Sequence, residues 1–158
     1  MNARRLLATS GVAAALALVP VTSADAASKP RVDVDGLGTY SVGQDGAAVL
    51  TGPATGVPFS GSYTAVLRAD DGTLPAPGEC EPGSASLRID GSRGRYLELS
   101  SSDEVCGVFV QEPFVVTHVF TGRYDVAATS ERKLRGGDGF LEVRLANDGR
   151  ASVFAIDT

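Results

Sequence analysis

His118 is the only histidine, and the only side chain that titrates near neutrality without a shifted pKa. An imidazole there offers a general base or a ligand-orienting group, provided that other polar groups converge on it. The stretch "PFVVTHVFTGRY" alternates so that His118 shares a face with Phe114, Val116, Phe120 and Tyr124. By the same parity Tyr63, in "FSGSYTAVL", faces inward, so His118, Tyr63 and Tyr124 form the candidate ligand pocket. A second reading makes His118 a core residue hydrogen-bonded to one of these tyrosines or to the backbone. In a third, a bulge near Glu112 and Pro113, or at Val116, turns the ring to solvent. A Ser-His-Asp triad needs a serine presented on a strained turn. No Gly-x-Ser-x-Gly occurs, and no catalytic residue is assigned.

Cys80 and Cys106 are the only cysteines and allow one intramolecular pairing. A structural zinc site takes four ligands, usually Cys or His. With no Cys-x-x-Cys and a single histidine, the expectation is a disulfide, no metal site and no cofactor. In the chain-entropy model a loop of this length is worth roughly 3.5 kcal/mol against the unfolded state. Asp33 and Asp35 in "VDVDG" start like a calcium loop, but the later ligands and the closing Glu are missing. "ERKLRGGDG", Glu131 to Gly139, gathers Arg132, Lys133 and Arg135. That run suits an anion or an acidic partner, and equally a solvated loop. The chain has no Trp, so sugar stacking falls to tyrosine: Tyr40, or Tyr96 on an outer face with Glu98.

The elements that hold these residues read as β throughout. Asp-Gly is among the strongest hairpin signals, because primed turns need positive φ. It occurs at Asp35-Gly36, Asp45-Gly46, Asp71-Gly72, Asp90-Gly91, Asp138-Gly139 and Asp148-Gly149, with short alternating runs between. No mature segment keeps a helical period, and evenly spaced short strands point to a barrel or sandwich. One long Pro/Gly loop, Asp70 to Ser84, is tied through Cys80 to the region of Cys106. "FSGSYTA" at Phe59 and "FTGRYDV" at Phe120 share Phe-[Ser/Thr]-Gly-x-Tyr, with both aromatics facing in. The match continues downstream, "GSASLRID" with "GFLEVRLA" and "GRYLELS" with "GRASVFA". The expectation is an all-β antiparallel barrel, or closely packed sandwich, of about eight strands with an internal three-strand duplication.

Residues 1–26 read as a secretory signal peptide. Arg4 and Arg5 precede an apolar run from Gly11 to Val19, and Ala24-Asp25-Ala26 gives an A-x-A cleavage site. The run is too short to span a membrane, so the mature chain is not membrane-spanning. Sec export ranks ahead of the twin-arginine route, and the destination is extracellular. Residues 27–158 then form a single all-β domain, able to bury roughly two thirds of its unfolded surface. Cleavage removes two arginines and one aspartate, moving the formal charge from −5 to −6. Such acidity argues against nucleic-acid partners. Lysine is confined to Lys29 and Lys133, and arginine dominates the bases, as in a GC-rich bacterial genome.

"FTGRYDV", "GGDGFLEVRLANDGRASVFAIDT" and the Cys80/Cys106 pair resemble small exported actinobacterial β-proteins of unknown function. Phe-x-Gly-x-Tyr before a Gly-rich turn and an amphipathic strand is similar to the barrel of allene oxide cyclases and dirigent proteins. That family carries a Gly-Thr-Gly-rich turn where this chain has "RKLRGGDG", and its catalytic residues find no counterpart here. Three functions compete: an exported binding or interaction module, monomeric, whose partner is an extracellular protein; an isomerase-like or carrier barrel holding a small apolar ligand near His118; and a secreted protease inhibitor using the 70–84 loop. Edman degradation of the exported protein is expected to start at Ala27; a mature N-terminus at Met1 would overturn the leader and the localisation with it.

Overall fold

The computed structural model describes residues 31–108 and 116–158. The leader, and the Glu112, Pro113 and Phe114 positions, lie outside the described residues. Eight strands follow one another: β1 (Asp33–Val42), β2 (Ala48–Val57), β3 (Gly61–Ala69), β4 (Cys80–Gly91), β5 (Tyr96–Gly107), β6 (Val116–Thr129), β7 (Asp138–Ala146) and β8 (Arg150–Asp157). Each pairs antiparallel with the next, and β8 pairs back onto β1, with Val34 opposite Ala155 and Gly36 opposite Val153. The sheet is therefore a closed up-and-down barrel with no free edge. No helix among the described residues is long and apolar enough to cross a membrane.

Alternation decides what fills the barrel. Val34, Leu50, Leu67, Leu87, Leu99, Phe120, Val143 and Val153 come from eight different strands and join one buried cluster. Their neighbours in sequence, such as Thr51, Arg88 and Thr121, are exposed. Phe120, Gly122 and Tyr124 all point inward, as their parity requires, and so does Tyr63. The interior is packed by the protein's own side chains. The well-formed cavities among the described residues lie on the outer wall or at the rim.

Three of the Asp-Gly pairs turn the chain as expected: Gly46, Gly72 and Gly149 all have positive φ. The other three sit inside strands. There the glycine is needed for its missing side chain. A Cβ at Gly36 would lie 2.8 Å from the Tyr63 ring, one at Gly139 2.7 Å from Tyr124 Cζ, and one at Gly91 2.5 Å from the Phe59 ring. Each large ring occupies a place that a glycine leaves open. The β4–β5 hairpin turns instead at Ser92–Gly94, with Arg93 at φ 60° and Gly94 at φ 70°.

The two Phe-Gly-Tyr stretches do not occupy equivalent positions. β6 lies three places on from β3, and in an antiparallel barrel an odd step reverses direction. Registers differ as well: Leu87 lies opposite Ala65, two residues after Tyr63, whereas Val143 lies opposite Phe120, four before Tyr124. The likeness reflects the same local requirement, an inward ring beside a glycine, met twice.

Gly36→Ala should test this packing. The added methyl meets the Val153 side chain at 2.6 Å and the Tyr63 ring at 2.8 Å. Overpacking of this kind costs about 1–3 kcal/mol. Urea unfolding is expected to show that loss, and Val153→Ala in the same chain should recover part of it through the shared contact.

Candidate functional site

One rim of the barrel carries the starts of β1, β3, β5 and β7, and the other carries their ends. A loop closes each. At the first rim, residues 130–137 cross the opening and drop Leu134 into the core at 5% exposure. Its flanking residues Arg132, Lys133 and Arg135 are exposed. This lid is tied at several points. The Arg31 guanidinium donates to the Lys133 carbonyl at 3.0 Å, Arg95 pairs with Glu131 at 3.8 Å, and Tyr96 N donates to Ser130 Oγ at 3.0 Å. Arg95 also lies 4.4 Å over the Phe59 ring.

The second rim is closed by residues 70–79. Leu74 packs against the core and Pro75 is buried. Gly78 N donates to Gly107 O and Gly107 N to Glu79 O, both at 2.9 Å. Cys80 is bonded to Cys106, directly opposite across β4 and β5. The disulfide thus fastens the lid where it rejoins the sheet. Cys80, Glu104 and Cys106 gather potential ligand atoms, but both sulfurs are committed to each other.

His118 belongs to this second lid. It lies opposite Leu145 with inward parity, just after a register shift between Val116 and His118. The irregularity falls where the sequence allows a bulge, yet the ring stays half-buried. Nε2 lies 3.2 Å from the Pro75 carbonyl and donates to it, and Nδ1 lies 3.0 Å from Thr117 Oγ1. The partner is therefore backbone from the lid, and neither tyrosine hydroxyl. Burial pushes the imidazole pKa below its ordinary value, partly offset by the Pro75 carbonyl.

Tyr63 and Tyr124 lie deep among the core residues, at 2% and 1% exposure, and neither hydroxyl has a hydrogen-bond partner. The Tyr63 ring rests on Gly36 and its hydroxyl reaches toward Gly38. The Tyr124 hydroxyl shares a space of about 10 Å³ with Asp157, whose Oδ1 is also unpartnered. That volume suits one water. Burial raises the pKa of both phenols, and the Asp157 and Asp138 charges raise that of Tyr124 further. Both are neutral at physiological pH, so neither is a base.

On the outer wall, Tyr96 sits under Arg88 at 5.0 Å, and Arg88 pairs with Asp90 and Glu98. Tyr96, Thr129 and Arg135 border an open cleft of about 400 Å³ beside the first lid. Tyr40 is partly buried and donates to the Ala146 carbonyl at 3.1 Å. Sequence reasoning misses the lids as a pair. The available signal is a single leucine in each of two loops otherwise rich in charge, Gly and Pro. Comparison with family models, curated proteins and solved structures finds no match for this chain.

The His118 bond has a pH signature. Because the folded pKa lies below the ordinary value, the unfolded chain takes up the proton first as pH falls. Stability from this residue is complete above about pH 6.5 and declines below it. His118→Phe should cost about 0.5–1.5 kcal/mol at pH 7.5. Urea titrations at pH 7.5 and 5.5 should show a smaller drop on acidification in the variant than in the native chain.

Proposed function

We propose that the protein is an exported binding module whose two lids, rather than its interior, meet partners. One observation carries the reading: the barrel is packed with its own side chains, while each opening is closed by an anchored loop whose unpaired charges are of one sign. The first lid shows Arg132, Lys133 and Arg135, and the second shows Asp70, Asp71 and Glu79. Loops on a rigid β scaffold are the usual seat of recognition. The leader-like N-terminus and the bonded cysteines support export, where a disulfide persists.

The other two readings receive less support. A small-molecule barrel would have His118, Tyr63 and Tyr124 converge on one space, but the histidine bonds the lid and the rings fill the core. A protease-inhibitor loop projects; residues 70–79 are laid along the rim by the Gly78–Gly107 and Glu79–Gly107 bonds.

Polymer capture tests the reading. The mature chain is expected to bind immobilised poly-glutamate at low salt, and R132E/K133E/R135E should reduce binding at least tenfold with an unchanged melting curve. Equal retention of both proteins, or saturable uptake of an apolar dye into the native barrel, would overturn it.

A further inference from the structure

We propose that this barrel associates end to end with a second copy of itself, the basic lid of one molecule seated on the acidic lid of the next. The proposal rests on the lids being recognition surfaces and adds the identity of the partner.

The distribution of unpaired charge carries it. Among the described residues Arg31, Arg68, Arg88, Arg95, Arg123, Arg144 and Arg150 each pair with a carboxylate. Four basic side chains do not: Arg93, Arg132, Lys133 and Arg135. All four are exposed, and all four lie on two of the loops of the first rim, β4–β5 and β6–β7. At the opposite rim Asp70, Asp71, Glu79, Glu81 and Glu104 have no cationic partner among the described residues. The wall neutralises many of its charges within itself, as in Arg88 with Asp90 and Glu98, or Arg123 with Asp138. Uncommitted cations thus gather at one end; uncommitted carboxylates are most numerous at the other, with Asp33, Asp35 and Asp125 toward the first.

A second, independent observation is the backbone at Arg93. It is the one non-glycine residue with positive φ among the described residues. A turn with both central residues left-handed favours Asn-Gly or Asp-Gly, and an arginine there is strained. Among the described residues, no hydrogen bond or ion pair of the Arg93 side chain compensates. The turn holds a cation at the rim, beside a lid whose backbone is already fixed by Leu134, Arg31 and Arg95. A preorganised surface loses less on association.

Electrostatics sets the conditions. Strands of eight to fourteen residues at about 3.3 Å per residue place the rims tens of ångströms apart. Charges are screened over about 10 Å at 0.1 M salt. Each lid therefore acts through its own charge, despite the chain's net −5. Opposite lids make a heterologous contact, which repeats along the barrel axis unless a rotation closes it.

Sedimentation velocity on the purified chain is the test. At 50 mM NaCl the weight-average sedimentation coefficient is expected to rise with concentration, and at 500 mM to stay flat. R132E/K133E/R135E gives two acidic ends, and D70K/D71K/E79K gives two basic ends. Each alone should associate at least tenfold more weakly than the native chain, and their equimolar mixture should recover association. Circular dichroism verifies that both fold; should either fail, the native salt series and the milder R93Q/K133Q variant, expected to weaken association severalfold, probe the same contact. A native chain that stays monomeric to millimolar concentration at 50 mM salt overturns the proposal, as does association that persists at 500 mM or survives in both reversed variants. Poly-glutamate capture without self-association would sink the second copy as partner while leaving the lids as recognition surfaces.

Discussion

An eight-stranded barrel has a bore that its own side chains must fill, and in this protein the fit depends on rings matched to glycines. Phe59, Tyr63 and Tyr124 are too large for a lining of uniform residues. Each lies against a strand position without a Cβ, at Gly91, Gly36 and Gly139. The exchange keeps local volume constant while letting aromatic surface, the richest source of burial per residue, sit in the core. It has a polar cost. Two phenolic hydroxyls are carried inside without a hydrogen bond to another protein group. The dense apolar contact around them must outweigh that loss.

Closing the bore transfers the remaining work to the openings. Leucine enters at each, Leu134 from a basic loop and Leu74 from an acidic one. One apolar side chain anchors a loop whose other residues stay in water. Ties of different chemistry hold the two lids: an ion pair, an arginine hydrogen bond and a cation over an aromatic ring at the first, a disulfide, backbone bonds and an imidazole at the second. His118 serves the second lid as a tie, through the Pro75 carbonyl.

Strand parity was legible because it depends only on neighbours in sequence. Phe120, Gly122 and Tyr124 face inward as alternation demands, Tyr96 shares the outer wall with Glu98, and the cysteines meet across adjacent strands. Asp-Gly was half legible. The dipeptide signals a turn through glycine's freedom at positive φ, but the same residue also answers a need for space, and only the fold separates the two. Gly46 does the first and Gly36 the second. The partner of His118 was hidden because Pro75 lies 43 residues away in a loop without periodicity. The repeat misled for a topological reason: matching letters carry no strand direction, and the two strands, three places apart in the barrel, run in opposite directions.

Barrel closure through β1 and β8 also places the two ends of the described chain together. Arg31 N donates to Asp157 Oδ2 at 2.8 Å, at the rim that carries the basic lid. Anything joined to either end, a tether or a neighbouring domain, would therefore stand at this one pole. The opposite pole, with its disulfide and acidic loop, would face outward. A short meander thus gives the molecule a base and a tip, an asymmetry that neither the even spacing of its strands nor its nearly uniform wall would suggest.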